Sequence, residues 1–198
     1  MLELRTNIIT GIDLAGKTEN PTGYAVLKDE KVKASLLYTD NQILQTITKD
    51  KPEIIAIDAP FSLPKSGVFR RADKEMIKNG YHVLPPSIPS MRKLTMRAIK
   101  LNKLIVEKGF KTIEVHPTSA CKALKIPPKN WGKIQTFLTQ IGLEGDLKVR
   151  TLAPHEIDAI MAALTAYLHI KNQTDALGDL EEGYMIIPKK QDWRAIHI

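Results

Sequence analysis

Four stretches of this sequence carry reactive side chains that a fold must account for. IITGID and IIAID each run through apolar residues into an acid, Asp13 and Asp58. A small residue, Gly11 or Ala56, stands two positions before each acid and shares its face through the period-two alternation of a strand. A buried carboxylate is costly unless it is paired, hydrogen-bonded or bound to metal. Two of them ending apolar strands suit a shared divalent cation, because Mg2+ and Mn2+ take carboxylate oxygens and keep some of their waters. Taken singly, each acid equally suits a turn cap, Asp58 before Ala-Pro above all.

The third stretch is APHEIDAIMAALTAYLH, residues 153–169. On a helix its bulky residues form one broad face, and His155, Asp158, Ala159, Ala162, Thr165 and Ala166 form the other. An alanine-rich face allows close approach to a sheet. His155 and Asp158, three apart, share the N-terminal end of that face. Helix capping explains an acid in the first turn but fits Asp158, deeper among alanines, less well. The fourth stretch, IEVHP, puts Glu114 and His116 on one strand face. Glu114 there is a ligand, a base or an ion-pair partner for nearby cations.

A fifth pattern competes with these. GIDLAGKT, residues 11–18, fits the phosphate-loop signature G-x-x-x-x-G-K-[ST]. A working loop of that kind needs a helix directly after Lys17-Thr18, whose N-terminus faces the phosphates. Here Asn20 precedes a proline, which disfavours the helical region, and a strand pattern follows Gly23. Asp13 also puts a negative charge where phosphate would sit. The stretch reads as a strand end and a turn.

The elements that must position these groups can be read in order. Residues 7–14, 22–28 and 31–38 read as strands, the last two joined by a tight turn at Asp29-Glu30. Residues 40–50 read as a helix capped by Asp40, and 53–59 as a buried strand. Pro60 to Phe110 reads as an insertion: a short helix within 69–80, a proline-rich loop at 84–90, and a long helix from about Ser90 to Lys108. A strand at 111–116, helices at 130–142 and 154–171, and a late strand at 183–188 complete an α/β chain.

Charge singles out the same insertion. The net charge is +7, yet residues 60–135 hold 16 Lys and Arg against 4 Asp and Glu. Clustered cations favour a polyanion through counterion release; a lysine-rich solvated surface gives the same count. No segment approaches the roughly 18 apolar residues of a membrane span, and MLELRTNIIT lacks an apolar signal core. Cys121, alone, excludes an internal disulfide and a cysteine-rich metal site. The expectation is a cytoplasmic protein in one domain, 1–198, with a basic, largely helical insertion at 60–110.

The order of elements, with GIDLA, IIAIDAP and HEIDAIMAAL, resembles the RNase H-like fold. HEIDAIMAAL is similar to the last helix of RuvC-type Holliday-junction resolvases, where a His-x-x-Asp pair would match His155 and Asp158. Across the whole chain the likeness is to a domain-of-unknown-function family of predicted RNase H-like nucleases. The shared marks are a first-strand Asp, an IDAP strand, Arg-x-x-Asp at Arg70 and Asp73, and E-x-H-P. The resemblance implies a mixed sheet, three antiparallel strands then parallel ones, flanked by helices with an insertion after the fourth strand. It also implies a nuclease in which Asp13, Asp58 and Asp158 hold Mg2+ or Mn2+. His155 would be a ligand or proton shuttle, and Glu114 would orient water. Lys17, Arg70, Arg71, Arg92, Arg97 and Lys100 would neutralise phosphates of DNA or RNA. Two other classes stay open. One is an ATP-binding or phosphotransfer protein of the actin and sugar-kinase type, which at this length requires a homodimer. The other is a non-catalytic nucleic-acid-binding module.

Overall fold

The computed structural model describes residues 8–196 and residue 198. The predicted strand residue Asn7 therefore lies outside the described residues. Strand β1 (Ile8–Asp13) pairs antiparallel with β2 (Thr22–Lys28), and β2 with β3 (Lys31–Leu37). Asp29 takes the left-handed conformation that the tight β2–β3 turn needs. Helix α1 (Asp40–Asp50) leads to β4 (Ile54–Asp58), which pairs parallel with β1. Thr39, not Asp40, caps α1: its side chain accepts from the Gln42 N–H, and Gln42 reaches back in a capping box. Asp40 is drawn instead to Arg97, at 2.8 Å.

The insertion holds α2 (Arg71–Lys78) and α3 (Pro89–Glu107). Strand β5 (Thr112–Val115) then pairs parallel with β4. Helices α4 (Pro117–Ala123), α5 (Trp131–Gln140), α6 (Asp146–Val149) and α7 (Pro154–Ile170) follow, with the two-residue strand β6 (Glu144–Gly145) beside β3. The hairpin β7 (Thr174–Asp179) and β8 (Gly183–Pro188) ends the sheet, which runs β6-β3-β2-β1-β4-β5-β8-β7. Patterning alone finds neither β6, β7, α4 nor α6.

Strand alternation splits the core between the two faces of the sheet. Ile12, Ile55 and Ile57 point to one face, where they pack with Ile43 and Ile47 of α1 and Ala98, Leu101 and Ile105 of α3. Ile9, Ala25, Ile54 and Ala56 point to the other, under α7 and with α4 and α5. Helix α7 is buried nearly all round, which is why its sequence shows so little polarity between Ile157 and Leu168. Among the described residues no helix is long and apolar enough to cross a membrane.

Helix α7 approaches the sheet through glycine. A Cβ at Gly11 would lie 1.9 Å from the Ala159 carbonyl oxygen, and one at Gly23 would lie 1.8 Å from that of His155. Both obstacles are helix backbone, which cannot rotate aside. Gly23→Ala therefore forces α7 off the sheet. Overpacking of this kind costs about 1–3 kcal/mol or more, so thermal denaturation should show a melting temperature lower by about 3–10 °C. An unchanged melting temperature would refute the close approach.

Candidate functional site

Asp13 and Asp58 end neighbouring parallel strands in register, Asp13 opposite Asp58. They lie on the α7 side, above Gly11 and Ala56, as their alternation requires. Helix α7 begins at Pro154, whose missing N–H costs nothing in a first turn, and its early residues lie over these strand ends. The Nδ1 of His155 stands 2.6 Å from Asp13 Oδ2. Asp158, one turn on, is close enough to feel both Asp13 and His155. Three acids from separate parts of the chain thus lie near enough at one end of the sheet to act on one another's charge.

Electrostatics follow from that nearness. Burial, then Asp13, Asp158 and Glu114, push the Asp58 carboxyl well above the usual carboxylate range. Burial and Asp13 push Asp158 up to about 6, against a hydrogen bond from the Trp131 side chain and the charges of His155 and Lys129. The hydrogen bond to Asp13 raises His155 in turn. The cluster is short of positive charge. Its donors are carboxylate oxygens with one imidazole beside them, a set that chemically fits a hard divalent cation. Among the described residues no three His, Cys, Asp or Glu side chains already stand in a metal-binding group; Asp13 is turned toward His155, and the acids would have to close in around an ion.

A cleft of about 540 Å³ opens beside these acids. Asp13 and Asp58 line it, together with Glu114 and His116 from the β5 end, residues 82–84 and α3 of the insertion, and Thr118 and Lys129. His116 points Nδ1 at Ser119 Oγ, 2.7 Å away, and burial lowers its pKa to about 4. The unfolded chain takes up this proton below about pH 6.5 and the folded chain refuses it until about pH 4. Folding stability from this group is therefore lost as pH falls through that window, by about 2 kcal/mol at pH 5. Urea denaturation at pH 7.5 and pH 5 should show His116→Gln losing less stability than the wild type by that amount.

Three expected assignments are corrected by geometry. Arg70, expected at a backbone phosphate, is 0% exposed. Its guanidinium donates to Glu114 through Nη1 (2.8 Å) and Nη2 (2.6 Å), and to Asp73 through Nη2 (2.9 Å) and Nε (3.2 Å). Glu114, expected to orient water, is thereby engaged at both oxygens, and Oε2 also accepts from the Phe61 N–H at 2.7 Å. It is the ion-pair partner of the insertion. Arg97 is also a brace: it binds Asp40 and donates to the carbonyls of Ala15, Lys17 and Tyr38, with its side chain 8% exposed. Lys17, Arg92 and Lys100 are exposed. So is Arg71, which pairs with Glu75.

The GIDLAGKT stretch has no helix behind it. Chain 14–21 is a turn, closed where Thr22 Oγ1 accepts from the Ala15 N–H, and β2 follows. Gly11 serves the contact with α7 rather than a phosphate. Trp131 and Lys129 were not legible as site residues: Trp131 fits the apolar face of α5, and only the placement of its helix brings it to Asp158.

Sheet order, strand directions and the acid-bearing last helix define an RNase H-like fold with a helical insertion after the fourth strand. The structure is similar to that of Thermus thermophilus RuvC in complex with a Holliday junction substrate. The TM-score is 0.51 at 16% identity, covering 83% of this chain and 96% of that one. A second Thermus thermophilus RuvC structure gives a TM-score of 0.50 at 14% identity with the same coverage. No curated protein matches the chain. Residues 11–182 match the family described as "Protein of unknown function (DUF429)", and the chain belongs to that family.

Proposed function

We propose that the protein is a cytoplasmic Mg2+- or Mn2+-dependent nuclease that hydrolyses phosphodiester bonds of DNA or RNA with weak sequence preference. What supports this reading is the in-register pair Asp13 and Asp58 at neighbouring strand ends, with His155 of α7 2.6 Å from Asp13 and Asp158 one turn on, near enough that its charge acts on Asp58. These three acids would hold the ion, which when bound lowers the pKa of a water and offsets the charge of the phosphodiester. With the Nδ1 proton on the Asp13 side, His155 keeps Nε2 to take up or return a proton near the scissile bond. Lys17, Arg71, Arg92 and Lys100 reach solvent and suit backbone phosphates, contacts that carry no sequence information. The junction-bound state of one similar RuvC structure supports a nucleic-acid partner.

Titration calorimetry with Mn2+ tests this reading alongside cleavage of a labelled oligonucleotide. Heat of binding in the wild type, its loss in Asp58→Asn, and cleavage that needs Mn2+ and weakens steeply with salt are expected. Neither heat nor cleavage would leave a non-catalytic binding module in its place. Stabilisation by ATP instead of Mn2+ would favour the phosphotransfer class.

A further inference from the structure

The cleft beside the acids has a lining of two kinds. On the insertion side stand Val83, Leu84, Met91 and Leu94. Leu84 is 60% exposed, a large apolar side chain at the rim. From outside the insertion Thr118 and Lys129 offer a hydroxyl and a cation, and Asp13 and Asp58 line the same cleft. A polyanion's phosphate belongs near these acids only with a cation beside it. An apolar surface of this kind suits the flat, weakly polar face of a base.

We propose that the cleft takes one unpaired nucleotide, its base against Leu84 and Met91 and its phosphodiester toward Asp13 and Asp58, so that the substrate is single-stranded nucleic acid or a frayed end. This rests on the nuclease reading above. The volume of about 540 Å³ lies within the range of pockets that enclose one small ligand. A rigid duplex, whose major groove alone is about 12 Å wide, cannot follow its backbone into that space. A single strand can turn a base out of its stack and lay it on a side-chain wall. His82, exposed at the same rim, adds a ring on which a base can lie. Helix α3 and the 82–84 segment belong to the insertion, so this part of the chain selects the strandedness of the substrate. DNA and RNA share the chemistry, and both are tested.

The test is fluorescence anisotropy with labelled oligothymidylate, labelled oligouridylate, and the oligothymidylate annealed to its complement, at low salt with Ca2+ as the divalent cation. The single strands should bind about tenfold more tightly than the duplex. Leu84→Ser should weaken single-strand binding about fivefold and Leu84→Trp should tighten it, with duplex binding unmoved. Val68→Ser, at a 52% exposed apolar residue of the same insertion, should change neither. Equal affinity for duplex and single strand, or Leu84 variants that move both alike, would overturn the inference. In Mn2+, blunt duplex cleaved as fast as single strand overturns it while the nuclease reading stands. Leu84-dependent single-strand binding without cleavage of any probe supports it and overturns the nuclease reading.

Discussion

Asp58→Asn is expected to reduce Mn2+-dependent cleavage by about 10²–10³-fold, a loss typical of removing a group on which charge stabilisation depends, while raising the melting temperature of the metal-free protein. The two effects have one cause. Asp58 ends β4 desolvated and faced by Asp13, Asp158 and Glu114. A carboxyl held above its ordinary pKa contributes full stability only below the unfolded value near 3.8, and loses it as pH rises through the folded value. At neutral pH Asp58 thus weakens the fold, and an amide of the same shape removes the repulsion. The gain shows as a higher melting temperature near neutral pH, and it vanishes toward pH 4. Excess Mn2+ should reverse the ranking, because the wild type gains about 2.7 kcal/mol once the ion reaches a hundred times its dissociation constant. Thermal denaturation in EDTA and in Mn2+ reads both orders; a variant less stable than wild type in EDTA would contradict the account.

The positions of these acids were legible because each strand is buried on both faces and ends abruptly. Period-two alternation put Gly11 with Asp13 and Ala56 with Asp58, and the alanines of α7 announced a helix lying close on a sheet. What alternation omitted was the reason for the small residues. Gly11 and Gly23 meet helix backbone, a contact visible only once the helix lies across the strands. The missed elements share another cause, for their order comes from partners far along the chain. Strand β7 (TDALGD) has little apolar alternation and pairs with β8. Helix α6 is tied to β3 where Asp146 accepts from the Ala34 N–H at 2.9 Å, and Arg150 joins Asp146 and Glu156. Arg70 misled for the opposite reason. In a basic block an arginine counts toward a phosphate-binding surface, and nothing local distinguishes the one that faces inward to Glu114, 44 residues away.

That inward arginine supports the second large prediction. Arg70→Met should destabilise the protein by about 3–5 kcal/mol, because it leaves Asp73 and Glu114 buried without their counter-charge. In a chain of this length the melting temperature falls by about 6–20 °C, measurable by calorimetry. Arg70→Lys should recover only part of the loss: one ammonium cannot present two donors to each of two carboxylates as the guanidinium does. The triple variant Arg70→Met, Asp73→Asn, Glu114→Gln removes every charge of the cluster and should regain most of the stability. The side-chain amide that Glu114→Gln introduces would still accept from the Phe61 N–H, which a hydrocarbon would leave unsatisfied at a cost of about 1–3 kcal/mol. The outcome separates two roles of the clamp. Arg70 and Asp73 open α2, and Glu114 lies on β5 in register with Ile57, the residue before Asp58. The clamp therefore fixes the start of the insertion against the strand pair that carries the acid. A triple variant that regains stability but cleaves single strands poorly would locate the value of the charges in that registration. One that regains both would reduce them to an exchangeable means of filling the core.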